Sequence, residues 1–442
     1  MKITFMGAGS TVFCKNVLGD SMLCEALQSA DIALYDIDAQ RLEESRLVVE
    51  MINHRQNQNR ARVSTYLGVE NRKDALRGAD FVICAIQVGG YEPCTVIDFE
   101  IPKKYGLRQT IGDTLGIGGI FRALRTIPVL RDFARDMEEV CPNALMLNYA
   151  NPMAMLVGYL QRYTGIHSVG LCHSVQVCAP DLLKSLDMAQ YVDDHVAHIA
   201  GINHMAWLLK LTDRQGNDLY GEVRRRAKAK NASEKHWDMV RYDYIDKLGY
   251  YCTESSEHNA EYNPFYIKAG REDLIEKFNI PLDEYPRRCI SQINGWAQQR
   301  EDLLSGKGVD HVRSREYASH IMEAIATNVP YSFGGNVLNN GLIPNLPKEA
   351  CVEVPCLADA RGIYPCYAGP LPLQLAAMNS SNIYPQLLTI EAAHTGKRDL
   401  VYQAAMMDPH TGAQLSTDEI VAMCDELIAA HTAAGFPVLF CG

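Results

Sequence analysis

The chain opens with a strand that runs directly into a glycine-rich turn, and this feature limits its possible folds more than any other. Residues 2–6 have the alternating pattern of a buried strand, and Gly7 and Gly9 follow at once. Residues 11–27 then carry apolar side chains at helical spacing. A strand, a tight turn and a helix in this order predict the first half of a parallel βαβ unit.

The alternation of strands and helices continues as far as residue 171. The predicted strands cover residues 32–35, 81–86, 144–147 and 168–171, and the predicted helices cover residues 39–52 and 120–140. Strands that alternate with helices form a parallel sheet covered on both faces, and ligands of such sheets bind where the strands end. The sequence therefore predicts an α/β fold with a Rossmann-type, doubly wound parallel sheet.

The pattern changes after residue 195, where the strands become short and the helices polar. Further strands are predicted over residues 197–202, 207–211, 336–346 and 351–356, and helices over residues 390–407 and 419–433. No repeat or low-complexity linker separates the two regions. We therefore predict a nucleotide-binding domain over residues 1–195 and a mixed α/β domain over residues 196–442 that supplies catalytic, substrate and subunit contacts.

The charge of the chain argues against nucleic acids and anionic membranes as partners. Its 442 residues carry a formal net charge of -11, which gives no attraction to a polyanion. No basic segment followed by an apolar run begins the chain, and no apolar stretch reaches the length of a membrane span. We expect a cytoplasmic protein with a small-molecule partner. The 14 cysteines include no Cys-x-x-Cys pair and are expected to be reduced.

The glycine-rich turn is typical of dinucleotide-binding proteins, in which backbone amides approach a pyrophosphate at a helix N-terminus. Val12 replaces the third glycine of that fingerprint. Asp36 ends the second strand, where a carboxylate accepts hydrogen bonds from a ribose diol and repels a 2′-phosphate, so NAD is favoured over NADP. The alternative is that Asp36 or Asp38 caps the following helix. The residues expected to contact the cofactor are Gly7, Gly9, Ser10, Thr11, Asp36, Gln87 and Val88.

Gln87 and Val88 belong to a loop that follows the strand over residues 81–86 and continues into two glycines. Glycine lets the backbone approach a ligand, so this loop is placed to pass beneath the cofactor. A flexible loop without a ligand is an equal alternative.

Cys172 and His204 each follow a predicted strand, and together they offer a soft thiolate and a borderline imidazole to a divalent metal. Cysteines and histidines at strand ends are commonly core or hydrogen-bonding residues, which is the alternative. His173 has a pKa range suited to proton transfer. A purely structural role is the alternative for this histidine.

Several polar side chains lie near these strand ends and are candidates for substrate contact or catalysis. Asn148 and Asn151 stand between a strand and a helix that has Pro152 in its first turn. They either bind a sugar or cofactor or, in the case of Asn151, cap the helix. Asp113 lies in a glycine-rich loop, where it orients a base or a metal-bound water, or simply forms a turn. Residues 253–262 concentrate titratable groups and are the best source of a general base, unless they form a solvated loop.

Six of these features occur in the same order as in a known enzyme family. They are Gly7-Ala8-Gly9-Ser10, the strand ending at Asp36, Gly112-Asp113-Thr114, Asn148-Tyr149-Ala150-Asn151-Pro152, Gly170-Leu171-Cys172-His173-Ser174 and Gly201-Ile202-Asn203-His204. In this order they resemble glycoside hydrolase family 4, and the resemblance continues through Glu353-Val354-Pro355-Cys356. It implies a Rossmann domain, a lactate-dehydrogenase-like second domain, NAD⁺, a divalent metal that is typically Mn²⁺, and homodimers or homotetramers. The branch it resembles most hydrolyses α-galactosides such as melibiose.

The resemblance also implies a reaction that uses both cofactors. In this family NAD⁺ removes hydride from C3 of the sugar, the resulting ketone acidifies the C2 proton, and a base removes that proton while the metal stabilises the enediolate. The glycosidic oxygen then leaves with help from an acid, water adds, and the hydride returns to C3. The net reaction is hydrolysis without the usual pair of catalytic carboxylates.

Individual roles follow from the same resemblance. Cys172 and His204 match the metal ligands, and Asn151 matches a substrate-binding asparagine. His173 stands where some members have an aspartate that protonates the leaving group, and Asp113 matches a carboxylate that raises the basicity of the base. Family members use a tyrosine or an aspartate as the base in the matching segment of the chain. The candidates there are, in order of preference, His258, Tyr262 and Glu257.

Three other kinds of function fit some of these features. A family member that acts on α-galacturonides or 6-phospho-α-glycosides would share the motifs, and a phosphate would need cations such as Arg287 and Arg288. A 2-hydroxy-acid dehydrogenase would share the fold, produce NADH and need no metal. This function assigns no role to Cys172. A non-catalytic NAD-binding sensor with a thiol switch would bind the cofactor without turnover.

Overall fold

The computed structural model describes residues 1–307 and 310–438. The strands are β1 (Lys2–Met6), β2 (Asp31–Asp36), β3 (Arg62–Leu67), β4 (Phe81–Cys84), β5 (Leu145–Asn148), β6 (His167–Gly170), β7 (His195–Ile202), β8 (Met205–Asp213), β9 (Tyr251–Cys252), β10 (Tyr331–Leu338), β11 (Cys351–Asp359) and β12 (Gly362–Pro365). The α-helices are α1 (Thr11–Met22), α2 (Ala39–Asn57), α3 (Arg72–Leu76), α4 (Val96–Lys104), α5 (Gly116–Val140), α6 (Met153–Tyr163), α7 (His173–Ser185), α8 (Tyr220–Ser233), α9 (Met239–Lys247), α10 (Ser256–Glu261), α11 (Glu272–Lys277), α12 (Glu284–Leu304), α13 (Ala318–Thr327), α14 (Leu373–Thr395), α15 (Arg398–Met407), α16 (Thr411–Gln414) and α17 (Thr417–Ala433). Within the two described ranges, no helix combines the length and the apolar character that crossing a bilayer requires.

All of these strands form one sheet in the order β3-β2-β1-β4-β5-β6-β10-β11-β7-β8-β9, with β12 beside β11. The strands from β3 to β6 are parallel to one another. Parallel neighbours need crossover connections, and helices such as α1 and α5 provide them. The α/β class and the doubly wound parallel sheet predicted from the sequence are confirmed.

The remaining strands are antiparallel and belong to the mixed second half of the chain. β10 joins the parallel strands at one residue pair, Asn336 opposite Gly170, and β11 joins β7 at another, Glu353 opposite Gly201. β10 and β11 pair with each other, and β7 and β8 form a hairpin. One continuous sheet therefore crosses the domain boundary predicted near residue 195, and that boundary stays a prediction.

The direction of the side chains explains why the central strands are so apolar. Phe5 of β1 enters a hydrophobic cluster on one face of the sheet, whereas Met6 enters a cluster on the other face. Ile83 and Val82 of β4 divide between the same two clusters. A strand that is buried on both faces needs apolar residues at nearly every position, which is the pattern that predicts parallel strands here.

The predicted strands leave out β3, β9 and β12, and one predicted strand has wrong bounds. β3 has no counterpart among the predicted strands, because it lies at the edge of the sheet and its sequence is largely polar. The strand predicted over residues 336–346 is wrong in its bounds, since β10 ends at Leu338. The Asn339 side chain then donates hydrogen bonds to the carbonyls of Ile343 and Leu346. These bonds fold the following residues into a loop that leads to β11.

The single helix predicted over residues 390–407 is wrong, because the structure has two helices there. α14 ends at Thr395, and α15 begins at Arg398. Gly396 between them has a φ of +71°, a left-handed conformation that ends a helix and favours glycine. Helix α1 also ends earlier than predicted, at Met22.

Gly170 makes room for two neighbouring side chains, and this generates a stability prediction. A Cβ at Gly170 would lie 2.4 Å from Met153 Sδ and 2.8 Å from Asn336 Cβ. We expect Gly170→Ala to lower the free energy of unfolding by about 2 kcal/mol, because overpacking forces the neighbours apart. Gly221→Ala is the matched control, since a Cβ at this position in α8 meets nothing within 4 Å.

The control substitution should raise the free energy of unfolding by about 0.5–1 kcal/mol, because alanine favours a helix over glycine. Urea unfolding of the two variants and the wild type measures both changes. A Gly170→Ala protein as stable as the wild type would contradict the packing described for this strand.

Candidate functional site

The predicted site residues gather at one edge of the sheet, where the parallel strands end. The turn with Gly7 follows β1, Asp36 ends β2, and the loop with Gln87 follows β4. Asn151 follows β5, and Cys172 follows β6. Because these five strands are parallel, all five positions lie at the carboxyl edge of the sheet, which is where doubly wound folds bind ligands.

The turn after β1 has no room for a side chain at either glycine. Gly7 has a φ of +89°, and a Cβ there would lie 2.7 Å from the Ala85 carbonyl oxygen. A Cβ at Gly9 would lie 2.8 Å from Asp36 Oδ2, which accepts a 2.6 Å hydrogen bond from the Gly9 amide. Ser10 is exposed and precedes the first turn of α1. The turn therefore presents its backbone at a helix N-terminus, as an anion-binding site requires.

Asp38, and not Asp36, caps the helix that follows β2. The Asp38 carboxylate accepts a 3.0 Å hydrogen bond from the Arg41 amide in the first turn of α2. Asp36 is not needed as a cap and instead faces the glycine-rich turn. The Thr11 side chain is buried, with its hydroxyl 2.9 Å from Ser45 Oγ. Thr11 therefore has only its backbone to offer a cofactor.

A buried ion network holds the loop that follows β4. The Val88 carbonyl accepts a hydrogen bond from Arg125 Nε at 3.1 Å, and Arg125 also pairs with Asp98 at 2.7 Å. Asp98 in turn contacts His431 Nε2 at 2.8 Å. The side chain of Gln87 is exposed next to this anchor. The loop is therefore fixed at Val88, while Gln87 is accessible to a ligand.

Cys172, His204 and Glu254 form a compact group of potential metal ligands. One donor atom from each lies within 4.8 Å of the others. Cys172 precedes α7, and its Sγ contacts Ser174 Oγ at 3.1 Å. Burial raises the pKa of the Cys172 thiol above its usual range, so a metal that binds here must displace the thiol proton. A thiolate, an imidazole and a carboxylate together suit a borderline divalent ion.

His204 lies in the tight turn of the β7–β8 hairpin and has a φ of +63°. Its Nδ1 contacts the Tyr262 hydroxyl at 3.2 Å, and its Nε2 faces Glu254 Oε2 at 3.4 Å. Tyr262 is completely buried, and burial raises its pKa well above the usual value. Tyr262 is therefore better suited to orient the His204 ring than to remove a proton.

A second group combines His204 with His258 and Asp113. His258 Nδ1 contacts Ser255 Oγ at 2.7 Å and Glu254 Oε1 at 3.5 Å. Its Nε2 lies 3.9 Å from Asp113 Oδ1. The His258 ring is therefore buried between a hydroxyl and two carboxylates, and its position is what makes it a candidate for proton transfer.

Glu261 holds the loop that carries Asp113. Its carboxylate accepts hydrogen bonds from the amides of Thr110 and Gly112, each at 2.7 Å. Burial raises the pKa of Glu261 to about 7, although these hydrogen bonds oppose the change. Asp113 Oδ2 also lies 3.8 Å from a guanidinium nitrogen of Arg122. The loop is thus tied to α10 on one side and to α5 on the other.

Glu257 is occupied by a salt bridge. Its carboxylate pairs with Arg288, which also contacts Glu284 at 2.9 Å. Arg287 pairs with the same Glu284 at 2.7 Å. Glu257 is therefore the least suitable of the three base candidates. Both arginines considered for a phosphate have carboxylate partners.

His173 lies next to Cys172 but outside both ligand groups. Its Nε2 contacts Glu316 Oε1 at 2.6 Å, and this hydrogen bond raises the pKa of His173 although partial burial opposes the change. The ring lies against Tyr149 and Phe13, with ring centroids 6.0 and 6.5 Å away. Because Phe13 belongs to α1, this contact brings the helix after the glycine-rich turn next to the first ligand group.

The two asparagines after β5 differ in their surroundings. The Asn148 side chain is fully buried, and its amide donates to the Ala150 carbonyl at 2.9 Å. Asn148 closes its own turn, and the ligand contact predicted for it stays a prediction. Asn151 does not cap α6, because Pro152 is the N-cap residue. The Asn151 carbonyl accepts a hydrogen bond from Arg122 Nε at 3.2 Å, and the residue is partly exposed.

Four glutamates near the site have no role among the sequence predictions. They are Glu254, Glu261, Glu316 and Glu353. The first two lie in the polar segment over residues 253–262, which is the signal that could have identified them. Glu353 lies in a motif of the family resemblance, which assigns it no function. Glu316 precedes α13 and carries no local signal, because only its contact with His173 reveals it.

Comparisons with known proteins match nearly the whole chain. The model of the family 4 glycosyl hydrolases matches residues 2–188, and the model of their C-terminal domain matches residues 199–411. The chain is 60% identical over 430 residues to an α-galactosidase of Bacillus subtilis strain 168, which covers 97% of this chain and 98% of that protein. It is 34% identical over 442 residues to an α-galactosidase of Rhizobium meliloti strain 1021, which covers 97% of this chain and 88% of that protein.

A solved structure shares the fold. It is a 6-phospho-α-glucosidase from gut microorganisms, crystallised with NAD and Mn²⁺, and it aligns with a TM-score of 0.81 over 99% of each chain at 20% identity. The sequence matches cover both halves of the chain, and they agree with the family that the sequence motifs resemble. This chain therefore belongs to family 4 of the glycosyl hydrolases.

Proposed function

We propose that this protein hydrolyses α-galactosides such as melibiose through a temporary, NAD⁺-dependent oxidation of the sugar beside a divalent metal. One observation carries the proposal, namely that a dinucleotide-type turn and a Cys-His ligand group lie at the same edge of the sheet. Phe13 follows the turn and His173 follows Cys172, and their rings are 6.5 Å apart. A hydrolase that works by simple displacement needs neither group.

The cofactor would lie across the turn after β1 and the loop after β4. The proposed contacts are Gly7, Gly9, Ser10, Thr11, Asp36, Gln87 and Val88. When bound, NAD⁺ would supply the hydride acceptor, and the metal would stabilise negative charge on the oxidised sugar. The structural relative that was crystallised with NAD and Mn²⁺ supports this choice of cofactors.

Cys172 and His204 are the proposed metal ligands, and Mn²⁺ is the proposed ion. The contact between His204 Nδ1 and the Tyr262 hydroxyl supports this assignment, because it leaves Nε2 as the nitrogen that faces the ligand group. A hydrogen bond of this kind fixes the tautomer and the direction of a metal-binding histidine.

His258 is the proposed base that removes the C2 proton. Ser255 and Asp113 contact opposite nitrogens of its ring, so the imidazole is oriented on both sides. Tyr262 is committed to His204, and Glu257 is committed to Arg288. His258 therefore ranks above both, as the sequence also suggests.

His173 is the proposed acid that protonates the leaving oxygen. Its side chain is 46% exposed, and Glu316 contacts only one of its ring nitrogens. The other nitrogen is therefore available to a substrate. Asn151, which follows β5 at the same edge of the sheet, is the proposed contact for sugar hydroxyls.

An uncharged α-galactoside is the proposed substrate class. The two α-galactosidase relatives support this choice. Arg287 and Arg288 already pair with Glu284 and Glu257, so neither offers an uncompensated charge to a sugar phosphate. In this scheme residues 1–195 bind the cofactor, and residues 196–442 supply the remaining ligands and the contacts of a homodimer or homotetramer.

The most direct test is to remove each cofactor while p-nitrophenyl α-galactoside is hydrolysed under reducing conditions. We expect release of p-nitrophenol to fall by at least about 100-fold without either NAD⁺ or Mn²⁺, because side chains do not accept hydride and the metal is the group proposed to stabilise the enediolate. p-Nitrophenyl α-galacturonide and a 6-phospho-α-glucoside are the comparison substrates. Unchanged hydrolysis after complete removal of both cofactors would contradict the proposal, and net NADH from a 2-hydroxy acid would indicate a dehydrogenase.

Asp36 generates a prediction about cofactor choice. Asp36→Ser should weaken NAD⁺ binding by about tenfold or more and narrow the preference over NADP⁺, because it removes both a charged acceptor and a repulsive charge. Asp38→Ser is the control, since serine keeps the helix cap. Titration calorimetry with both nucleotides gives the affinities. Equal NAD⁺ affinity in the Asp36 variant and the wild type would exclude this role for Asp36.

His173 generates a prediction about leaving groups. His173→Ala should slow the cleavage of melibiose by about 100-fold or more, because its sugar alkoxide needs a proton. The same variant should lose much less activity on p-nitrophenyl α-galactoside, because nitrophenolate leaves without protonation. His167→Ala, an exposed histidine of β6, is the control. Equal losses on the two substrates would show that His173 is not the acid.

A further inference from the structure

Two residues of the ligand group have an unusual backbone conformation. Nine non-glycine residues in the described ranges have a positive φ, and seven of these are Asn, Asp or Gln. The other two are His204 at +63° and Glu254 at +64°. Histidine is tolerated in the left-handed region, whereas glutamate is rarely found there and is held only where the surrounding structure fixes it, commonly at functional sites.

Glu254 places its two carboxylate oxygens toward two different histidines. Its Oε2 lies 3.4 Å from His204 Nε2, and its Oε1 lies 3.5 Å from His258 Nδ1. The Glu254 side chain is 22% exposed. Cys172 Sγ completes the group, with all three donor atoms within 4.8 Å of one another.

We propose that Glu254 is the third protein ligand of the divalent-metal site, beside Cys172 and His204, with its second oxygen facing His258. This inference rests on the proposed function, because it assumes that the metal binds at Cys172 and His204. It adds a ligand that neither the motifs nor the relatives assign. It also joins the metal site to the proposed base through a single side chain.

The spacing of the donor atoms supports three ligands. His204 Nε2 and Glu254 Oε2 lie 3.4 Å apart, and one divalent ion would fit between them, because nitrogen and oxygen ligands lie about 2.1 Å from such an ion. A thiolate from Cys172 and a carboxylate from Glu254 bring two negative charges, which balance a divalent ion. Three protein ligands leave the remaining positions open for oxygens of a sugar, as in catalytic metal sites.

The alternative set of Asp113, His204 and His258 is less suitable. His258 already contacts Ser255 at 2.7 Å through Nδ1, and its Nε2 lies on the Asp113 side. His204 has only Nε2 left for a metal, because Nδ1 contacts Tyr262, and this Nε2 is the atom that faces Glu254. We therefore assign the metal to the set that contains Cys172.

Binding of Mn²⁺ alone to the full-length protein tests the proposal without turnover. Titration calorimetry and electron paramagnetic resonance report the affinity of the wild type and of Glu254→Gln, which should bind at least about tenfold more weakly. Glu257→Gln is the matched control, because it removes a buried negative charge from the same segment and should change the affinity by less than about threefold. Glu254→Gly is a second variant that tolerates the φ of +64° and so avoids misfolding through strain.

Co²⁺ provides an independent readout of the ligand set. The thiolate-to-cobalt absorption band should persist in Glu254→Gln, because Cys172 still binds, while the intensity of the visible bands changes with the lost ligand. Mn²⁺ affinity of both Glu254 variants within twofold of the wild type would overturn the inference but leave the proposed function intact. Equal weakening in Glu257→Gln would also overturn it, because the effect would then be one of general charge. Absence of Mn²⁺ binding by the wild type would instead contradict the proposed function itself.

Discussion

The ligand group depends on one row of paired residues that joins the two halves of the sheet. The row consists of Gly170 in β6, Asn336 in β10, Glu353 in β11 and Gly201 in β7. Cys172 follows one end of the row, and His204 follows the other. The row therefore sets the distance between two ligands that come from opposite halves of the chain, and the metal site requires that both halves keep this register.

The two polar side chains of the row, Asn336 and Glu353, are completely buried. Their burial costs free energy of folding and favours a single register of the strands. Asn336 donates a 3.0 Å hydrogen bond to Glu353 Oε1, while Glu353 Oε2 and both polar side-chain atoms of Asn203 have no partner among the described residues. A buried polar group without a partner costs about 1–3 kcal/mol. Burial raises the pKa of Glu353 to about 8, although the hydrogen bond from Asn336 opposes the change. Burying a neutral carboxyl costs less free energy than burying a charged one. The buried polar groups that destabilise the fold therefore lie beside the metal ligands.

The sequence predicts the parts of the structure that depend on local patterns. Continuous apolar runs identify the central parallel strands because both faces of the sheet are buried, and the glycine-rich turn identifies the nucleotide edge. The sequence pattern does not predict β3, because a strand at the edge of a sheet needs few apolar residues. The break at Gly396 has a local signal in its glycine, but helical spacing alone extends across it.

The candidate site is less predictable, because its members are chosen by distance and not by spacing along the chain. Asp36 and Asp38 are equivalent caps in the sequence, and only the hydrogen bond from Arg41 separates them. Glu254 gains its importance from a left-handed backbone and from its position opposite His204. Neither property is visible in a polar segment whose default structure is a solvated loop. Tyr262 shows the opposite case. The sequence makes it a base candidate, but in the structure it is fully buried and contacts His204.

The central claim, hydrolysis through temporary oxidation at C3, is tested most directly by hydrolysing an unlabelled α-galactoside in D₂O and examining the released galactose by NMR and mass spectrometry. The account requires that the C2 hydrogen is removed by a base and replaced from solvent in every turnover. It therefore predicts galactose with deuterium at C2, with C3 keeping its original hydrogen because the same hydride returns. Galactose that carries no deuterium at C2 would contradict the account, because a simple displacement never breaks that bond.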